Sequence, residues 1–317
     1  MHRALRTLAV TAVIAGLACA AAPASTPTRA IPAGVSISGI RVGGLSSEPA
    51  RARVDAAFQR PVRVVYRGRT TLLTPRALGT ALSIDKAVSA ALSATPSSDI
   101  ALPVRASQAK IDRAVRALAR RYDRDAVNAA VVGATGNGPE FSASHTGLAV
   151  DTRTMTHALT QVLRNGTRAP LTLLTGPVQP ARTAANFGPV IVITRSTNTL
   201  RFYSGPSLVR TFSVATGQTI YPTPAGLWQI MDMQRNPWWY PPVQDAWARG
   251  LKPVPPGPSN PLGTRWMGLN APGVGIHGTD APTSIGYSVS HGCIRMQVPD
   301  AEWLFEHVHV GTPVVIL

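Results

Sequence analysis

The sequence predicts an α+β N-terminal module followed by a mainly β domain, a curled sheet or sandwich with one late helix. Three observations lead there. The first half alternates strand-like and helix-periodic stretches. The second half holds closely spaced β segments and a single helical pattern, residues 300–308, after Pro299. Between the halves, residues 176–187 carry Pro177, Pro180 and several small residues, the composition of a linker. A chain of 317 residues has material for two cores, and 44% hydrophobic with 15% charged residues argues against wholesale disorder.

The N-terminus reads as a secretory signal peptide over residues 1–24. Arg3 and Arg6 precede the apolar run 8–18, and small residues with Pro23 follow. That run is short for a membrane span. Cys19 raises an acylated lipoprotein end as an alternative to ordinary cleavage, although Gly16 stands where such signals carry a leucine-like residue. Residues 25–34 are expected to be a tether. After cleavage Cys293 is the one remaining thiol, with no internal disulfide partner.

The formal net charge is +16, and +14 once Arg3 and Arg6 are removed. This balance favours anionic partners. No basic run with interleaved aromatics is present, so nucleic acid is not expected. Anionic wall polymers of the cell envelope (periplasm or cell wall) fit better, and no stable protein partner is predicted. Arginine supplies nearly all the charge, as an arginine-rich, lysine-poor composition by itself would dictate.

Residues 35–175 form the expected first domain. Residues 35–42 alternate like a strand, and Ser47 is a candidate N-cap for a helix with Ala50, Val54 and Phe58 on one face. A hairpin follows over 62–66 and 70–74, with Arg67-Gly68 at its turn. Thr74-Pro75 and Asp85 each open a short helix. Ser107 caps a longer one with Ile111, Val115, Leu118 and Tyr122 buried. Strands at 127–132 and 141–144 flank a polar loop, 133–140. Asp151 caps a helix carrying Met155, Leu159 and Leu163, and 171–174 is a strand. His145 and His157 stand alone, as surface or packing residues. The segments GIRVGGLSSEPARARV, PVRVVYRG and LTPRALG, with the GLAVD helix, resemble the peptidoglycan-binding domain that precedes catalytic domains of exported wall enzymes.

The second domain is expected over 188–317. Strands at 190–194 and 199–203 enclose the turn Ser196-Thr197-Asn198; 208–215, 227–231 and 313–317 add to the sheet. The chemistry gathers in residues 275–296, GIHGTDAPTSIGYSVSHGCIRM, where His277, His291 and Cys293 lie among glycines. A free thiol is only a few per cent ionised at neutral pH, and lowering its pKa by about 2 units takes about 2.7 kcal/mol. A histidine in contact can supply that. Gly292 permits a strained turn in front of the thiol, and the adjoining N–H groups can stabilise an oxyanion. On the residues alone, two other readings stay open: a zinc site from His277, His291, Cys293 and Asp280, and an inert buried cysteine.

HGT at 277–279 followed by SHGCIRM at 290–296 resembles the signature of the L,D-transpeptidase catalytic domain, the YkuD family. Thr216-Gly217, TPAG (223–226), NPLG (260–263) and MGL (267–269) extend the likeness. The resemblance implies Cys293 as nucleophile and His277 as general base and acid, with the Gly278 carbonyl orienting His277. It implies Gly292 in the turn and oxyanion region, His291 as support, and substrate binding by Arg295 and Ser290. It also implies peptidoglycan stem peptides as substrate and no cofactor or metal. The family reaction cleaves a tetrapeptide stem after its third residue, releases D-alanine and passes the cysteinyl thioester to an amine, giving a cross-link. Residues 236–242, NPWWYPP, form a candidate lid in which Trp238, Trp239 and Tyr240 line the donor cleft. An L,D-carboxypeptidase using water, a non-catalytic wall-binding protein and a secreted cysteine endopeptidase are the alternatives.

Overall fold

The computed structural model describes residues 29–317; the expected signal peptide, Cys19 and the first four tether residues lie outside them. The chain divides into two compact units. The first ends at Arg116 and resumes over Thr152–Leu173, and the second takes Ala117–Asp151 and Leu174–Leu317. The packing boundary therefore differs from the linker boundary read in the sequence, because residues 117–151 pack with the later unit. No helix among the described residues is long and apolar enough to cross a membrane.

In the first unit, α1 (Ser47–Phe58) and α2 (Ile84–Leu92) bury Ala50, Val54 and Phe58 against Ala87, Val88 and Ala91. The N-cap of α1 is Ser46 rather than Ser47. The expected strand over 35–42 is broken into Ser36–Ile37 and Ile40–Arg41, because Ser38 and Gly39 adopt positive φ and turn the chain. The hairpin forms as expected, β1 (Val62–Tyr66) against β2 (Arg69–Leu73), with Arg67 at φ 45° and Gly68 at φ 77°. This primed turn matches the twist of the strands it joins. Residues 75–79 make only turns, not the expected helix; Thr80 N–H bonds back to the Pro75 carbonyl. Helix α3 (Gln108–Tyr122) begins in this unit, and α4 (Thr152–Asn165) buries Met155, Leu159 and Leu163 as the spacing predicts.

The second unit is mainly β with one late helix. The polar stretch 133–140 is mostly strand, β3 (Val131–Thr135) and β4 (Gly138–Phe141), because the reversal needs only Gly136-Asn137. The expected linker also begins as strand, with Thr175–Val178 paired antiparallel to Gly147–Val150. The longer remaining strands are β5 (Pro189–Thr194), β6 (Thr199–Ser204), β7 (Ser207–Ser213), β8 (Gly226–Arg235), β9 (Arg265–Leu269), β10 (Gly275–Gly278), β11 (Ser288–Ser290), which pairs with the two-residue strand Thr216–Gly217, and β12 (Ile294–Met296). Helix α5 (Val298–His307) and β13 (Pro313–Ile316) complete the chain. Eight of these form one sheet in the order β7-β6-β5-β13-β8-β9-β10-β12.

Both faces of this sheet are covered at β5, which explains the unbroken apolar run of that strand. Ile191 and Ile193 join the main core with Ile276, Ile294, Met296 and, from α5, Ala301 and Leu304. Val190 and Val192 face the other way, into a second cluster with Val131, Phe187, Tyr203 and Val315. Leu304 is fully buried. Leu304→Ala should therefore cost about 2–5 kcal/mol, measured as a lowered denaturation midpoint of the second unit.

Candidate functional site

The site is built where β12 returns parallel to β10. The register pairs Ile276 with Ile294, His277 with Arg295 and Gly278 with Met296. In paired strands, residues two apart share a face. Ile276, Ile294 and Met296 take the core face. His277 and Arg295 take the opposite face, and Cys293 joins them beside Gly275. Six residues of the two strands and the turn before β12 thus split into a packing set of three and a chemical set of three.

His277 is 4% exposed. Its Nδ1 meets the Gly278 carbonyl. A carbonyl can only accept, so this contact places the imidazole proton on Nδ1 and leaves Nε2 with its lone pair. Burial pushes the imidazole pKa down to about 4. The Gly278 and Pro261 carbonyls oppose that shift, and the Arg295 charge adds to it. His277 is accordingly a neutral base over the whole neutral range.

Cys293 is half-buried and forms no disulfide. Its Sγ donates to the Gly273 carbonyl at 3.5 Å. Desolvation raises the thiol pKa, while the Gly275 N–H and the Arg295 charge pull it down. Burial wins at both groups, so the resting pair is thiol and neutral imidazole rather than an ion pair. The Gly275 N–H that favours the thiolate is a main-chain donor fixed by the sheet.

The turn carrying Cys293 depends on Gly292, at φ 109°, a conformation that side-chain-bearing residues rarely adopt. Ser290 closes the turn: its hydroxyl donates to the Cys293 carbonyl and accepts from the Gly292 N–H. At 1% exposure, Ser290 is spent on this turn and is not presented to a substrate as the resemblance implied. A further hydroxyl supports the turn from behind. Thr223, fully buried, accepts from the Gly217 N–H at 2.8 Å and donates to the Gly292 carbonyl at 2.9 Å. This ties the Thr216-Gly217 and TPAG segments to the SHGC turn and gives both segments a physical reason.

The other expected residues divide. Arg295 makes no ion pair among the described residues, so its guanidinium remains available beside Cys293 and His277. His291 packs against aromatic rings: Trp247 stacks on it at 4.0 Å and 13°, and Tyr221 tilts against it at 5.1 Å. Its pKa is lowered by desolvation and by Arg295, with Asp245 opposing. Among the described residues no group of three or more His, Cys, Asp or Glu is arranged to hold a metal ion.

Residues 236–263 do form an ordered excursion. The buried Asn260 amide donates to the carbonyls of Pro237, Val254 and Pro255 and accepts from the Leu262 N–H. Trp239 is half-buried and pairs its main chain with Val254, while Trp238 and Tyr240 stack on each other in solvent. Trp247, an aromatic of this excursion outside the three expected, stacks on His291 of the site motif. Trp266 is the other residue that sequence reasoning missed. It is the register partner of His277, with rings 5.8 Å apart, and its indole lies over Gly275, where any Cβ would be driven into the ring. Trp266 therefore forms a wall of the pocket next to Cys293. In sequence its single signal was an aromatic just before MGL.

A half-buried thiol and a neutral imidazole on one face, with the Arg295 guanidinium beside them, are groups suited to acyl transfer. Residues 188–316 match the model of the L,D-transpeptidase catalytic domain, YkuD, and residues 72–171 match the one described as "Putative peptidoglycan binding domain". "Putative L,D-transpeptidase YqjB" of Bacillus subtilis is 36% identical over 134 residues, 40% of this chain and 70% of that protein. "Putative L,D-transpeptidase YkuD" of the same organism is 32% identical over 126 residues, 40% of this chain and 64% of that protein. The chain belongs to the L,D-transpeptidase YkuD family.

Two outcomes follow from the geometry. Thr223→Val keeps the shape but strands the Gly217 N–H and the Gly292 carbonyl, at a cost of about 1–3 kcal/mol; slower alkylation of Cys293 in the folded variant is the expected readout. Because the thiol pKa is raised, alkylation of the wild type should keep climbing with pH beyond about 9.5, about one unit above the ordinary thiol pKa, where an ordinary cysteine levels off. A plateau reached below pH 7 would instead mark a preformed ion pair.

Proposed function

We propose that the chain is an exported cell-wall enzyme that forms peptidoglycan cross-links by L,D-transpeptidation. The observation that carries this reading is the shared face of β10 and β12, with Cys293, His277 and Arg295 together. In the proposed reaction His277 Nε2 takes the Cys293 thiol proton as Sγ attacks the carbonyl of the third residue of a tetrapeptide stem, the carbonyl joined to D-alanine. The Gly275 N–H favours the developing charge. The imidazolium then gives its proton to the departing D-alanine amine, leaving a thioester. An amine of a second stem attacks that thioester, and the proton returns through His277 to sulfur. Arg295 is proposed to hold the carboxylate of the donor stem.

The pKa pattern supports a proton shuttle of this kind. A histidine pushed down to about 4 is neutral before attack and becomes cationic only while the tetrahedral intermediate exists. Burial behind Trp266 and the 236–263 excursion supports the further proposal that the thioester is kept from water until an amine arrives. The domain assignment that goes with this reading is a peptidoglycan-binding module over 35–175 and a catalytic domain over 188–317.

Incubation with a disaccharide-tetrapeptide, followed by mass spectrometry, tests the function. A dimer short of one D-alanine is expected, and Cys293→Ala should abolish it. Accumulation of tripeptide alone would make water the acceptor and the enzyme a carboxypeptidase.

A further inference from the structure

The positive charge of this chain is not shared between its units. The described residues of the first unit, 29–116 and 152–173, hold 17 Lys and Arg against 5 Asp and Glu, a net +12. The second unit holds 12 against 10, a net +2. A compositional bias toward arginine acts on the whole chain, and the scarcity of lysine does run through both units. The excess of cations over anions does not. It therefore belongs to the first unit and needs its own cause.

The longest acid-free stretch of that unit lies between Asp55 and Asp85 and carries Arg60, Arg63, Arg67, Arg69 and Arg76. Most of it is the β1–β2 hairpin. Val62 and Val64 are buried, so the alternation of β1 turns Arg63 outward. The primed turn puts Arg67 at the tip, with its guanidinium 5.4 Å from the Tyr66 ring, and Arg69 follows across from Tyr66. All three arginines are exposed. The only ion pairs of this unit among the described residues are those of Arg51 with Glu48 and Asp85. Arg168 is different in kind. It lies over the Phe58 ring and donates to the carbonyls of Phe58, Arg60, Val162 and Thr167, so it is structural.

Unneutralised like charge on a folded surface costs stability through self-repulsion and attracts counter-charge. We propose that the β1–β2 hairpin docks a linear polyanion with phosphate-linked repeats, Arg63, Arg67 and Arg69 being its contacts. Arginine forks suit phosphate oxygens. Arg63 lies three strand residues before Tyr66, about 10 Å at 3.3 Å per residue, and Arg67 follows at the turn, a separation that successive charges of a polymer can meet and a single carboxylate cannot. A membrane surface fits less well, because three arginines fall short of the clusters of about 4–8 that hold to anionic lipid by charge, and there is almost no apolar face to enter the lipid. Leu72 is the one large apolar side chain exposed on this hairpin among the described residues.

The test uses the full chain and long-chain inorganic polyphosphate, with phosphatidylglycerol vesicles in parallel. Wild type should bind polyphosphate with an affinity that falls as salt rises from 50 to 200 mM. The triple variant Arg63→Glu, Arg67→Glu, Arg69→Glu should bind about tenfold more weakly or worse. A second triple variant to Gln removes charge without reversing it and should fall between them. An unchanged far-ultraviolet circular dichroism spectrum and thermal unfolding profile in both variants shows that the unit carrying the hairpin is folded. Cys293→Ala should bind as wild type does, which separates this proposal from the catalytic one. Equal binding by the triple variants, binding insensitive to salt, or vesicle capture as tight as that of polyphosphate would each overturn it.

Discussion

Everything at the site depends on one strand pairing, the parallel ladder between β10 and β12. Its register decides that His277 and Arg295 stand side by side and that Cys293 comes beside Gly275. A slip of one residue would exchange the faces, sending Ile276 and Ile294 to the pocket and the imidazole into the core. The register is held by the core itself. Ile276, Ile294 and Met296 are fully buried with the apolar face of α5, so a slip would cost several large side chains their burial. Packing energy on one side of the sheet thereby fixes chemical geometry on the other.

The electrostatics of the pair follow from where this ladder lies. Burial opposes charge on both His277 and Cys293, and Arg295 helps the thiolate while further disfavouring imidazolium. The two groups are thus set to exchange a proton transiently and not to rest as an ion pair. That arrangement stores little nucleophile at rest. It does leave the imidazole unprotonated well below neutral pH, so the base is present whenever a substrate arrives.

Much of this was legible in the sequence, and the misses have physical causes. HGT and SHGC carry their own chemistry, so Cys293, His277, Gly278 and Gly292 could be singled out as residues. Long periodic helices such as α4 announce themselves by spacing. What could not be read was tertiary exchange: 133–140 looks like a polar loop because a hairpin needs few apolar residues when one face packs on a neighbouring sheet. Ser290 looks like a substrate contact until its hydroxyl is seen closing the turn. Trp247 and Trp266 reach the site from distant segments, and no local pattern marks an aromatic that will stack on a histidine far along the chain. The uneven charge of the two halves can also be counted in the sequence, and the packing boundary sharpened it by moving residues 117–151 to the second unit.

The indole lying over Gly275 has an evolutionary corollary. Because the ring occupies the volume that a Cβ at 275 would need, the two positions cannot drift independently. A lineage that gained alanine at 275 would first have to trade Trp266 for something smaller, opening the wall beside the thiol. Selection on the pocket should therefore be visible as a linked pair of positions, one of them conspicuous for its size and the other for having no side chain.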